Sequence, residues 1–236
     1  MFRIVVARYE GDAYDDYLAP CIDVNASKVY HVWNEEATGL FAKYNKAIDK
    51  MVDEGMKEHD IVMFVHGDVN IVDPFYIEKF EYYFNHVPNV AVAGVIGTTV
   101  LTEQGGWHMC PADYHRGQWI QDNTPPDGKT TIQQRKIGNF DDVLVVDGMC
   151  FCVRGKYLLE GNRFDYKTYG DVYHFYDLDF CLEAIEKGWK VGVVDVLAKH
   201  KSAGGYDSDW GRVKNIFIDK WKSKGVSFPL TLTTGA

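Results

Sequence analysis

An unbroken apolar run, Ile61-Val62-Met63-Phe64-Val65, ends abruptly in His66-Gly67-Asp68-Val69-Asn70. A strand with one wet face would alternate apolar and polar residues, so this run reads as a strand buried on both faces of a parallel sheet. A sheet covered on both sides needs helices on both faces, which points to an α/β sandwich. Open α/β sheets bind ligands beyond the C-terminal ends of their strands, where His66 and Asp68 fall. Downstream come a second acidic cluster, Tyr176-Asp177-Leu178-Asp179, and His200 at the end of Val196-Leu197-Ala198-Lys199. Carboxylates and imidazoles at strand ends and helix starts suggest a divalent metal and an anionic substrate.

The rest of the chain alternates in the way such a sandwich requires. A strand is expected from Phe2 to Arg8, and a shorter one from Val29 to Trp33. Leu40, Phe41, Tyr44, Ala47, Ile48, Met51 and Val52 form a helical stripe that Gly55 can end. Asp73-Pro74 reads as the N-cap and first position of a helix burying Ile77, Phe80 and Phe84. Val90 to Ile96 is a strand. From Leu101 to Asp142 periodicity fails, and one or two short strands are expected inside a long functional or mobile loop. Order resumes at Val143–Gly148 and Met149–Val153, with one antiparallel element expected there. A helix begins near Asp177 and stops at Gly188, and Lys190–Asp195 is the last clear strand. Residues 1–222 are read as a single domain and 223–236 as a loosely held tail. The fold class is thus an open, mostly parallel sheet flanked by helices.

Composition narrows the function. The chain has 236 residues, 46% hydrophobic and 25% charged, with a net charge of -9. An acidic balance argues against general nucleic-acid binding, which needs a basic stripe, but leaves room for a nucleotide neutralised by a metal. Five cysteines lack the spacing of a disulfide framework or a zinc site and read as buried thiols. Met1-Phe2-Arg3 leads straight into the first strand, so no signal peptide and a reducing, cytoplasmic setting are expected. No apolar run has the length of a membrane span. Oligomeric state is left open.

These residues, in this order, resemble the GT-A nucleotide-diphospho-sugar glycosyltransferases, and within them the family-2-like branch whose metal motif reads Phe-Val-His-x-Asp. Lys43-Tyr44-Asn45-Lys46-Ala47-Ile48 is similar to the helix before the metal strand. Phe64-Val65-His66-Gly67-Asp68 stands where the family carries Asp-x-Asp. Val146-Asp147-Gly148-Met149-Cys150 resembles the strand that approaches the donor sugar. Phe164-Asp165 and Tyr176-Asp177-Leu178-Asp179 resemble the Phe-Asp and Glu-Asp-x-Asp region, and Gly188-Trp189-Lys190-Val191 and His200 the final strand and distal histidine. His66 replaces the first Asp, and Tyr176 replaces the usual Glu.

The resemblance implies transfer of a sugar from a nucleotide diphosphate, expected to be UDP, to a hydroxyl of a glycan or other acceptor, with inversion. It implies Mn²⁺ or Mg²⁺ on the diphosphate. Asp68 is the first ligand candidate, against the plainer reading of a turn cap. His66 is a ligand or a hydrogen-bonded structural histidine, and family position makes His200 a third ligand or, again, a structural residue. Asp177 is the candidate general base, or else a helix-capping carboxylate. A helix N-terminus would lower its pKa, whereas burial and Asp179 would raise it. Asp147 and Gly148 are expected at the donor sugar. Arg8, Tyr9, Glu10 and Asn34, at the ends of the first two strands, and Asn45 from the helix are expected at the nucleotide. Trp107 and His108 belong to an acceptor-side lid or are ordinary surface aromatics, and Asp179 supports the loop or meets acceptor.

Two other classes compete. A nucleotidyltransferase would want a glycine-rich, basic loop after the first strand, and Arg8-Tyr9-Glu10-Gly11-Asp12 is too acidic. A catalytically silent domain that binds nucleotide or glycan is the other, motivated by the His66 and Tyr176 departures.

Overall fold

A computed structural model of the chain describes residues 1–22, 27–33, 39–122, 130–134, 140–201 and 208–232. The chain opens with β1 (Phe2–Arg8), α1 (Tyr14–Tyr17) and β2 (Ser27–Trp33). In α2 (Leu40–Asp53) the expected stripe Leu40, Phe41, Tyr44, Ala47, Ile48 and Met51 is buried, and Gly55 ends it with φ 81°. β3 (Ile61–His66) and β4 (Val69–Ile71) are separated only by Gly67-Asp68, and α3 (Tyr76–His86) follows. The middle of the chain holds β5 (Val90–Gly94), β6 (Ile96–Thr98), β7 (Val100–Leu101), β8 (His115–Asp122), β9 (Thr130–Gln134), β10 (Phe140–Asp142), β11 (Val145–Val146) and β12 (Cys150–Arg154). The last third holds α4 (Gly155–Leu159), α5 (Tyr166–Tyr169), α6 (Tyr176–Glu186), β13 (Lys190–Val194), β14 (Ala198–His200), α7 (Trp210–Ser223) and β15 (Leu230–Thr231).

A seven-stranded sheet forms the centre, in the order β10-β13-β5-β12-β3-β1-β2. β1 pairs in parallel with β2 and β3, and β13 with β5; β12 runs antiparallel between β3 and β5. The antiparallel element expected after Val143 is therefore β12. Ile61 to Val65 are buried, as a doubly covered strand demands. A second sheet, β11-β6-β8-β14-β4, with β9 on β8, stands beside the first. Among the described residues no helix is long and apolar enough to cross a membrane. All five cysteines are free, four of them buried.

The structure departs from the sequence reading in several places. α3 starts at Tyr76, because Asp73 Oδ1 accepts from Phe75 N at 2.9 Å and so caps the turn that contains Pro74. Its buried face is Tyr76, Phe80, Tyr83 and Phe84, with Ile77 only partly covered. The run Val90–Ile96 splits between the two sheets. A Cβ on Gly94 would lie 2.6 Å from Val146 Cβ, and one on Gly97 2.2 Å from the Val145 carbonyl, so the crossing depends on close backbone approach. Residues 101–142 hold more strand than their composition suggested, because β8 is a shared member of the second sheet, paired with β6, β14 and β9. The described part of the tail is tied down: Leu230 and Thr231 pair with Leu101 and Val100.

No element was expected at 210–223, yet α7 buries Val213, Phe217, Ile218 and Trp221. It is pinned to α6 by charge. Lys220 Nζ lies 2.8 Å from Asp165 Oδ2, 2.8 Å from Asp179 Oδ2 and 2.9 Å from Glu183 Oε1, and the Trp221 indole donates to Asp179 Oδ1 at 3.0 Å. Removing one partner of a buried ion pair leaves an uncompensated charge, at a cost of about 3–5 kcal/mol. Lys220→Met, which preserves length and drops the charge, is expected to destabilise the fold by that order, read as a lower midpoint in urea unfolding.

Candidate active site

The candidate centre is assembled by a turn and a ladder. His66 is the last residue of β3, and its N–H donates to Met149 O at 2.9 Å. Gly67 follows against β1: a Cβ there would lie 2.7 Å from Asp12 Oδ2 and 3.2 Å from Ala7 O. A glycine fits this close approach to β1 without displacing its neighbours. Asp68 is thereby buried at 3% exposure. β4 then pairs antiparallel with β14, so that His200 stands opposite Val69. Lys201 N donates to Asp68 O at 3.0 Å and closes the arrangement.

One ligand-type atom from each of His66, Asp68 and His200 lies within 4.8 Å of the others. His200 Nε2 is 3.4 Å from Asp68 Oδ1. Burial and the neighbouring His200 charge lower the pKa of His66. Burial works against a charged His200, but the hydrogen bond and charge of Asp68 outweigh it and raise its pKa. Two imidazoles and a carboxylate can hold a divalent first-row cation, whereas Mg²⁺ prefers oxygen ligands throughout. Among the described residues a second acidic group, Asp165, Asp179 and Glu183, is equally close-set. Lys220 Nζ already sits among all three carboxylates.

Beside the triad the start of α6 meets the loop before β12. The Tyr176 hydroxyl donates to Gly148 O at 3.0 Å and lies 2.8 Å from His66 Nε2. Asp177 Oδ2 accepts from Gly148 N at 2.7 Å. Asp147 accepts from Met149 N at 2.7 Å through Oδ1 and from the Trp107 indole through Oδ2. Burial, then the Asp147 charge, push the Asp177 carboxyl up to about 7, against the backbone N–H groups that favour its anion. The sequence reading named Asp179 as the neighbour that would raise it; through space the neighbour is Asp147. Phe175, which precedes α6, holds a left-handed φ of 67°, unusual for a bulky residue. Its ring is buried against Phe217 and Trp210 of α7, at centroid separations of 5.1 Å and 5.5 Å.

The other singled-out residues divide. Arg8 lies at the rim, bonded to Asp12 Oδ2 at 2.6 Å, with its guanidinium carbon 3.8 Å from the Tyr14 ring and 4.5 Å from that of Trp33. Tyr9 and Glu10 are exposed beside it, and Asn34 lies outside the described residues. Asn45 does not reach into the site. Both ends of its amide hold Phe164, Nδ2 on the carbonyl at 2.8 Å and Oδ1 on the N–H at 2.9 Å. Trp107 is buried rather than lid-like, because its indole is spent on Asp147; His108 beside it is exposed. Asp179 is 1% exposed and fully engaged by Lys220, Trp221 and Tyr169, which leaves it no open face for an acceptor. Asn70 donates to Tyr17 O at 3.1 Å and so fastens α1 to β4. Tyr14, Trp33 and Asp12, which surround Arg8, lacked any periodic signal. Tyr176, named in the acidic cluster, carried no site role in sequence.

A family model described as a glycosyltransferase-like family matches residues 28–220, and the chain belongs to that family. It is a glycosyltransferase by family, with a mixed α/β fold of GT-A type. The solved structure of GalNAc-T7 with UDP, GalNAc and Mn²⁺ is similar with a TM-score of 0.52 and 10% identity, over 96% of this chain and 51% of that one. The present chain thus spans about half the length of that structure. A glycosyltransferase involved in glycosylation of the major capsid of PBCV-1 has 10% identity and a TM-score of 0.40, over 92% of this chain and 98% of that one. No curated protein matches the sequence.

The raised Asp177 carboxyl has a consequence for stability. An ordinary aspartic acid titrates near 3.8, whereas this one holds its proton to about 7 in the fold. As pH rises from about 4, the unfolded chain releases a proton that the native chain retains, so this group lowers native stability progressively up to about pH 7. In metal-free protein Asp177→Asn is expected to melt higher than the parent at about pH 8, with the gap closing toward about pH 4. Thermal melts across that range check it; an equal gap at every pH would contradict the raised pKa.

Proposed function

We propose that the protein moves a sugar from a UDP-sugar to an acceptor hydroxyl with inversion, with Mn²⁺ held by His66, Asp68 and His200 and Asp177 as general base. The observation that carries the proposal is the convergence of that triad, across Tyr176 and Gly148, with a buried carboxyl whose pKa is near 7. A similar fold described with UDP and Mn²⁺ supports the choice of donor and ion.

Breaking the sugar–phosphate bond builds negative charge on the departing diphosphate. A divalent cation held by His66, Asp68 and His200 would supply electrostatic neutralisation of that charge. Everything else is the work of the chain's own residues. Gly148 N–H fixes one oxygen of Asp177, which orients the carboxyl. The carboxylate takes the proton of the acceptor hydroxyl as that oxygen attacks the sugar carbon. A base with a pKa close to the operating pH is both largely ionised and strong enough to accept a proton. Asp147 and Gly148, on the loop between the triad and Asp177, are the candidate donor-sugar contacts. Arg8, Tyr9 and Glu10, at the end of β1, are the candidate nucleotide contacts, with Tyr9 offering an exposed ring for stacking.

Two variants test it. Asp68→Ala is expected to abolish the Mn²⁺-dependent part of UDP binding while the fold persists, measured by calorimetry with and without Mn²⁺. Unchanged metal-dependent affinity would remove Asp68 from the centre. Asp177→Asn keeps the shape of the residue but cannot take a proton, and loss of a general base costs roughly 10²- to 10⁴-fold in rate. Its UDP affinity is expected to match the parent. Near-normal transfer in this variant would exclude Asp177 as the base. Tight UDP binding by a parent that turns over no donor would favour the silent binding domain.

A further inference from the structure

His66 and Tyr176 lie 110 positions apart in the chain and touch in the fold. The contact is 2.8 Å between His66 Nε2 and the Tyr176 hydroxyl oxygen, and the same hydroxyl lies 3.0 Å from Gly148 O. A phenol has one proton, and a carbonyl can only accept. Both contacts are satisfied in one arrangement: Tyr176 donates to Gly148 O, and His66 donates its Nε2–H to the Tyr176 oxygen. A neutral imidazole that donates from Nε2 has its lone pair on Nδ1.

We propose that Tyr176 is the positioning residue of the metal centre: it holds His66 in the Nε2–H tautomer and so presents Nδ1 to the cation. The inference rests on the His66–Asp68–His200 centre proposed above. A carboxylate ligand at position 66 has no tautomer to set, whereas a histidine ligand needs a partner for its second nitrogen.

The surroundings of Tyr176 make it a rigid partner. Its ring is buried among Phe41, Tyr44, Phe151 and Phe164, at centroid separations of 5.4 to 6.4 Å. Gly148 is shaped to receive it, since a Cβ there would lie 2.2 Å from the Tyr176 hydroxyl oxygen. The backbone of His66 is fixed by its bond to Met149 O, one residue beyond Gly148. The hydroxyl is therefore held from three sides, by the helix start, by the glycine it covers and by the histidine it orients.

Tyr176→Phe removes the hydroxyl and keeps the ring. Loss of a partner behind a metal ligand typically costs 10- to 100-fold in affinity, and a weakening of that size is expected for Mn²⁺ alone, titrated by calorimetry or by the EPR signal of the free ion. A tautomer readout needs no metal. In metal-free parent protein the ¹⁵N shifts of His66 are expected to show Nε2 protonated and Nδ1 bare; in Tyr176→Phe they are expected to move toward a mixture. Asp68→Ala separates the two claims. If it abolishes Mn²⁺ binding while Tyr176→Phe binds within twofold of the parent, the positioning role is overturned and the centre stands. If Asp68→Ala leaves Mn²⁺ affinity unchanged, centre and proposal fall together. A parent spectrum with the proton on Nδ1 overturns the proposal by itself.

Discussion

The antiparallel ladder between β4 and β14 sets the distance across the candidate centre, because it carries His200 to the residue after Asp68. Side chains alternate along a strand, so a slip of one residue would turn His200 to the opposite face. The ladder is short and depends on its neighbours for register. β8 pairs in parallel with β14 on the other side, and Asn70 ties β4 to α1. On the side of β3, Gly67 permits a turn tight enough to bring Asp68 next to that ladder. A triad drawn from three elements thus inherits its spacing from backbone hydrogen bonds.

The same region carries an energetic burden. Asp68, Asp177 and Asp179 are all buried, and burial of a carboxylate costs free energy unless it is paired or bonded. The chain meets that cost differently at each. Asp179 is neutralised by Lys220 and accepts from Trp221 and Tyr169, and it serves structure. Asp68 faces His200. Asp177 is buried, its donors among the described residues are backbone N–H groups, and a like charge in Asp147 lies nearby, so its proton is held to about 7. A protein gains nothing in stability from leaving a carboxyl in that state, and such a compromise is common where catalysis needs a group poised to change charge. The strained φ of Phe175, one residue before Tyr176, belongs to the same compromise, held by packing against α7. The last helix therefore acts on the site from a distance, through Phe175 at the start of α6 and through Asp179 one turn later.

The central sheet was legible because its strands are buried on both faces and say so in continuous apolar runs. α2 and α6 were legible from their periodicity and glycine stops. α7 was missed: its apolar positions, Val213, Phe217, Ile218 and Trp221, are interleaved with charged residues, and Lys220 among them finds its partners on α6 only in the fold. Residues 101–142 looked irregular because β8 takes its stability from three partner strands rather than from its own alternation. Asn45 and Trp107 look like site residues in sequence. An amide and an indole report what they can bond, and in the fold each is already bonded, to Phe164 and to Asp147.

By itself the sequence determined the α/β architecture, the strand that ends in His66-Gly67-Asp68 and the placing of Asp177 at a helix start. These follow from local periodicity and from residue types that act on their own backbone. Only the tertiary structure decided that His66, Asp68 and His200 share one centre, that Asp179 belongs to Lys220 and that Asp147 sets the charge environment of Asp177. It alone joined Tyr176 to His66. The reason is physical: hydrogen bonds, desolvation and Coulomb interactions act over a few ångströms of space, and they take no account of how many residues of chain lie between the groups they connect.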